Sequence, residues 1–194
     1  MLSIEEARIQ LRALKGKPKF QRMLHFSAIL TSLLEQEQIR PVIVGGFSVE
    51  IYTRSEYTTS DVDFILNGRS VAARYLDSLG FQKLGKDWFH RELELAMEIP
   101  DNLLAGNYEK VTKILLENSQ YVYVIGIEDI ILDRLRAFVH WQSSRDGEWA
   151  ERLFLTHRNR VDVNYLAEQS KKDGTDQLVQ GWLQLEHRNE HEEL

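Results

Sequence analysis

Two aspartates one residue apart, Asp61 and Asp63, are the residues of this chain best placed to do chemistry. They fall in Thr59-Ser60-Asp61-Val62-Asp63-Phe64, which reads as the start of a strand. In a strand, residues i and i+2 point to the same face. Both carboxylates then stand side by side, while Val62, Phe64 and Leu66 turn the other way into a core. Like charges that close repel unless a cation sits between them. Carboxylates anchored on a rigid strand suit Mg²⁺ (or Mn²⁺), a hard ion that takes few carboxylates and keeps coordination places for phosphate oxygens. Upstream, Val42-Ile43-Val44 runs into Gly45-Gly46-Phe47-Ser48. A Gly-Gly turn lets backbone N–H groups approach an anion with no side chain in the way, and the next helix points its positive end at the same place. Ser48, in the first helical turn, has a hydroxyl to offer a phosphate. Strand, Gly-Gly turn, helix and Asp-x-Asp strand are together the parts of a triphosphate–metal site.

Those parts need a scaffold, and the hydrophobic pattern supplies one. Ser3 and Glu6 form a capping box that starts a helix near Ile4, and Lys15-Gly16-Lys17-Pro18-Lys19 breaks it. A second helix over 19–38 carries Phe20, Met23, Leu24, Phe26, Leu30, Leu33 and Leu34 toward a core. Strands are expected at 41–44 and 62–66, then a helix capped by Ser70, and an outer strand at 81–84. From Leu93 to Ile99 apolar residues alternate with Glu94, Ala96 and Glu98, which predicts a strand with one polar face. Residues 111–116 and 121–125 flank a turn and form a hairpin, unless the first arm is helical. From Ile127 onward the chain reads as helices, with Trp141 and Trp149 in the core. The expected organisation is a pair of N-terminal helices (1–39), an α/β core (40–126) and a C-terminal helical region (127–194), packed as one unit. The fold class is α/β (α+β), with a mixed sheet flanked by helices.

Bulk composition narrows the function. A net charge of −6 disfavours a protein that coats nucleic acid or anionic membrane broadly. With no cysteine, disulfides, thiolate zinc sites and a cysteine nucleophile are excluded. No stretch of about 18 apolar residues exists to span a bilayer, and the acidic start does not resemble a signal peptide. A cytoplasmic location without membrane contact is the expectation. Lys15, Lys17 and Lys19 read as a solvated linker rather than a phosphate site. His187 and His191, four apart in a charged tail, are weak zinc candidates.

The Gly45-Gly46 turn followed by Thr59-Ser60-Asp61-Val62-Asp63 resembles the nucleotidyltransferase superfamily (the polymerase beta-like fold). It is nearest to small prokaryotic members related to the abortive-infection type toxin nucleotidyltransferases. Downstream, Gly126-Ile127-Glu128-Asp129 resembles the family's helix that opens on Glu-Asp-Leu, with Arg134 where relatives carry lysine. Arg145-Asp146 resembles the basic-acidic dipeptide that follows. Three features depart from the pattern: Tyr57 stands where many relatives have arginine, Arg134 replaces the helix lysine, and fourteen residues separate Gly46 from Asp61. The resemblance implies a third carboxylate on a neighbouring strand, either Glu94 or Glu98. Glu98 is favoured because relatives place this acid just before the strand leaves the sheet, and Ile99-Pro100 marks that exit. It further implies a Mg²⁺-dependent transfer of a nucleoside monophosphate from a nucleoside triphosphate to a hydroxyl. Asp61, Asp63 and Glu98 would serve as catalytic and metal-binding residues, and Gly45, Gly46, Ser48 and Arg134 would hold the nucleotide. The acceptor would be an RNA end such as tRNA, a protein or a small molecule, with an antitoxin partner if the toxin likeness holds. The alternative is a non-catalytic module of the same fold that works by association.

Overall fold

The computed structural model describes residues 1–117 and 119–192, and side chains as far as residue 184. The side chains of His187 and His191 therefore lie outside the described residues. The chain divides into two compact units, Met1–Ile125 and Gly126–Leu194.

In the first unit the Ser3–Glu6 box forms as expected. The Ser3 hydroxyl accepts from Glu6 N, and the Glu6 carboxylate accepts from Ser3 N at 2.8 Å. It opens helix α1 (Ile4–Arg12), which packs on α2 (Lys19–Glu35). From Phe26 to Leu34 the second helix is buried on nearly every side, with Phe26, Ala28, Ile29, Leu30, Leu33 and Leu34 in the core and the Ser27 and Thr31 hydroxyls donating to carbonyls one turn back. A helix of that kind belongs inside a protein. Strand β1 (Val42–Val44) runs directly into α3 (Gly45–Tyr52), and β2 (Asp61–Ile65) returns antiparallel to β1. Helix α4 (Arg69–Ser78) starts on Gly68, whose φ is +143°, with no side-chain cap. The expected Ser70 cap is thus corrected: Ser70 already lies inside the helix. Three short strands follow, β3 (Gln82–Leu84), β4 (Asp87–His90) and β5 (Leu95–Glu98). The expected strand over 93–99 is shorter at its start, because Arg91–Glu94 is a turn in which Glu94 takes a φ of +48°. Strands β6 (Thr112–Leu115) and β7 (Tyr121–Val124) pair antiparallel, so the first arm is extended.

Among the described residues the strands form one mixed seven-stranded sheet, in the order β3-β4-β5-β2-β1-β7-β6. Strand β5 is parallel to β2, and β7 is parallel to β1. One face is apolar: Val62, Phe64, Trp88, Leu95 and Met97 are all buried. The edges are β3 and β6. There Leu84 and Leu115 are exposed, Lys83 lies over the Trp88 ring, and Lys113 lies over the Tyr121 ring.

The second unit is helical: α5 (Ile127–Trp141), α6 (Ser144–Thr156), α7 (Val163–Asp173) and α8 (Asp176–Glu192). Helices α5 and α6 approach closely at Gly147, where a Cβ would fall 2.8 Å from the Phe138 ring. Polar ties hold α7: Tyr165 OH donates to Asp129 at 2.7 Å, and Asp162 N donates to Glu128 at 2.7 Å. Trp141, expected in the core, is 78% exposed at the end of α5. Among the described residues no helix is long and apolar enough to cross a membrane.

Candidate active site

Asp61 and Asp63 lie on β2 with their side chains on one face, partly exposed, while Val62 and Phe64 are fully buried on the other. The strand register extends this polar face across the sheet. Asp63 stands opposite Glu98 and Asp61 opposite Ala96 on β5. On β4, Asp87 stands opposite Glu98 and Phe89 opposite Ala96. Neighbouring strands lie about 4.8 Å apart, so Asp63, Glu98 and Asp87 form one row of carboxylates across three strands. Glu94 is not in that row. It sits in the turn before β5, exposed, with its carboxylate 3.4 Å from Arg22.

The glycine turn is fitted to this row. Gly45 has a φ of +60°, and a Cβ there would fall 2.2 Å from Oδ2 of Asp63. A Cβ on Gly46 would meet the Thr59 hydroxyl at 2.7 Å. Both positions therefore require glycine, the first by conformation and by contact, the second by contact. Thr59 is gripped at three atoms. Its hydroxyl donates to Asp61 Oδ1 at 3.0 Å, its N–H donates to Glu50 Oε2 at 3.0 Å, and its carbonyl accepts from Lys19 Nζ. Glu50 is buried on α3, and burial pushes its carboxyl above the ordinary range, partly offset by the Thr59 N–H and the Lys19 charge. Ser48, expected to face a phosphate, is buried and donates its hydroxyl to the Gly45 carbonyl at 2.7 Å.

A cleft of about 210 Å³ opens beside Asp61, lined by Ser60, Leu84, Asp87, Phe89, Ala96 and Met97. A larger cavity of about 500 Å³, between α1 and the end of α4, is lined by Arg8, Arg12, Lys15 and His90 and holds none of the groups above. Lys86, in the β3–β4 turn, has its ammonium 2.9 Å from Glu98. Arg134 lies on α5 in the second unit, where Asp133 and, at 2.8 Å, Asp146 engage its guanidinium.

Among the described residues no three His, Asp or Glu side chains stand grouped as a ready-made metal cage. The donor set nevertheless fits a hard divalent ion. It offers carboxylate oxygens at adjacent positions of one rigid face, with bare glycine backbone where any Cβ would fill the space beside Asp63. Lys19, Glu50, Lys86 and Asp87 join this site although no sequence pattern marks them for it, and Thr59, quoted above only as part of the strand-entry motif, joins it as the partner of Asp61 and Glu50. Gly85-Lys86, a two-residue turn with glycine first, is the local signal by which a strand carrying Asp87 can be found.

Residues 24–140 match a family described as nucleotidyl transferase of unknown function (DUF2204). The sequence has no match among curated proteins. Among solved structures, the fold is similar to that of an antigenic nucleotidyltransferase-like protein from Paracoccidioides brasiliensis. That likeness has a TM-score of 0.54 at 16% identity, over 73% of this chain and 76% of that one. Two structures of ANT(2″)-Ia are more distant. The solution structure of this antibiotic-resistance factor has a TM-score of 0.48 at 13% identity, over 84% of this chain and 94% of that one. The complex with adenylyl-2″-tobramycin has 0.49 at 11% identity, over 78% and 93%.

Proposed function

Since the chain belongs to the nucleotidyltransferase family that it matches over residues 24–140, we propose that it moves a nucleoside monophosphate from a nucleoside triphosphate to a hydroxyl acceptor. The observation that carries this is the fit of Gly45 against Asp63, where a Cβ would fall 2.2 Å from the carboxylate. The glycine turn that would cradle phosphates and the carboxylate that would hold metal are thereby one structural piece. Asp61 and Asp63 would hold Mg²⁺ or Mn²⁺, with Thr59 fixing the rotamer of Asp61 through its hydroxyl. Such an ion, when bound, neutralises phosphate charge and orients the triphosphate. The backbone N–H groups opening α3 would take a phosphate oxygen. Ser48 would act indirectly, by holding the Gly45 carbonyl away from the anion. Glu98, one strand over from Asp63, would accept the proton of the acceptor hydroxyl once its ion pair with Lys86 opens.

That same ion pair favours a second reading, a module that binds nucleotide without transferring it, because a paired Glu98 is a poor base. Thermal unfolding with each of the four ribonucleoside triphosphates, with and without Mg²⁺, tests the shared premise. A triphosphate at about 100 times its dissociation constant adds about 2.7 kcal/mol, a rise of a few degrees in Tm. We expect the rise to need Mg²⁺ and to vanish in Asp63→Asn. No rise with any triphosphate counts against both readings. The α-labelled triphosphate that binds, incubated with tRNA, cell proteins and small hydroxyl compounds, then separates them. Label transfer supports the enzyme and names the acceptor class, while binding without transfer supports the module. A toxin-type role adds one more expectation: expression of the wild type, but not of Asp63→Asn, slows growth.

A further inference from the structure

The β3–β4 hairpin carries a cation to the acidic row. Leu84 pairs with Asp87, so Gly85 and Lys86 are the whole loop. Gly85 takes a φ of +64°, the left-handed value needed at the first position of such a turn. Nothing lies within 4 Å of where its Cβ would be, so the turn and not packing calls for glycine. The loop backbone is tied down by Arg69, which donates to the Ile99 carbonyl at 2.8 Å and to the Lys86 carbonyl at 3.5 Å. The same guanidinium lies over the Trp88 ring at 5.3 Å. One arginine thus fastens the hairpin tip to the end of the strand that bears Glu98.

Within that frame the Lys86 side chain is 71% exposed and the Glu98 side chain only 16%. The glutamate is seated and the lysine is the exposed partner. The Lys86 ammonium donates to Glu98 Oε2 at 2.9 Å. The register sets Asp63, Glu98 and Asp87 opposite one another on three strands, and Lys86 pairs with the middle one.

We propose that Lys86 is a built-in counter-ion of the acidic row, which a divalent cation must displace on binding, so that Lys86 lowers the affinity of the site for metal. The proposal rests on the reading of Asp61 and Asp63 as metal ligands. An ammonium on Glu98 and a divalent ion on Asp63, one strand away in the same row, repel, and the exposed lysine is the one able to leave. Exposed ion pairs are weak, so the barrier is modest and acts as a threshold rather than a block.

The test is Mn²⁺ titration of the whole chain at low ionic strength, following free aqueous Mn²⁺ by electron paramagnetic resonance. Lys86→Gln should lower the dissociation constant about two- to five-fold, the range that exposed pairs span. Lys83→Gln makes the same change in net charge on the opposite face of the hairpin, where Lys83 lies over Trp88, and should leave the constant unchanged. The Lys86 effect should shrink in 0.5 M salt. If Lys86→Gln binds Mn²⁺ no more tightly than the wild type, or Lys83→Gln tightens it equally, the counter-ion role is wrong. Asp63→Asn separates the two levels. Loss of Mn²⁺ binding in that variant keeps the metal reading whatever Lys86 does, whereas equal binding by wild type and Asp63→Asn removes the metal reading and the counter-ion with it.

Discussion

Gly45 shows how much one backbone position decides. A residue other than glycine would bear the left-handed φ of +60° and drive a methyl into the Asp63 carboxylate. Gly45→Ala should cost about 1–2 kcal/mol from conformation alone, more with the clash, as read by urea unfolding, and it should abolish any Mg²⁺-dependent rise in Tm. Glu50 offers a test through pH. Burial raises its folded-state pKa above the ordinary 4.5, so its contribution to stability is complete below that value and is lost as pH rises through the folded one. The Tm of Glu50→Gln minus that of the wild type should therefore grow more positive from pH 4.5 upward. A flat difference would show that the Thr59 and Lys19 contacts offset burial fully. The two aspartates and two glycines are legible in the sequence because each pair is local, and period-two geometry places Asp61 and Asp63 on one face without knowledge of the fold. Glu50 and Thr59 are not legible as partners. Their contact spans nine positions and depends on how the loop after α3 doubles back.

At the scale of elements, the β3–β4–β5 meander sets the acidic row, and Arg69 is its fastening. Arg69→Met should leave α4 intact but loosen the hairpin. We expect a loss of about 1–2 kcal/mol, since hydrogen bonds to charged groups are among the stronger ones, and faster amide exchange in β4 than in β1 or β2. Equal exchange across all strands would mean that the hairpin is held by Trp88 packing alone. Strand β5 is visible in advance because Leu93, Leu95, Met97 and Ile99 alternate with polar residues. Strand β4 is not, because Trp88-Phe89 breaks that alternation: Trp88 fills the core while Phe89 floors the cleft. Its partner β3 has no buried residue, so the hairpin depends on its turn and its neighbour rather than on its own pattern. The helix boundary at Arg69 is missed for a related reason, since Gly68 starts α4 by backbone conformation where Ser70 offered a side chain.

For the whole molecule, net charge limits what the site meets. At −6 the chain should bind duplex DNA of arbitrary sequence more weakly than the roughly 10⁻⁴ M that marks feeble nonspecific binders, as measured by fluorescence anisotropy at physiological salt. Binding tighter than that would require a basic surface to be found. Helical content after residue 126 is legible from periodicity, whereas strand order is not, because β1 lies between β2 and β7 through contacts distant in sequence. The two rims of the sheet, finally, share one arrangement. Lys83 on β3 lies 5.3 Å from the Trp88 ring centre, and Lys113 on β6 lies 3.4 Å from that of Tyr121. Each rim also shows an exposed leucine, Leu84 or Leu115. An open rim is a template on which another copy can continue the sheet, and like charge on both rims opposes that meeting. Acetylating these lysines would remove the repulsion and leave the leucines, so the treated protein should pass from clear solution to fibrous precipitate at concentrations where the untreated protein stays dispersed.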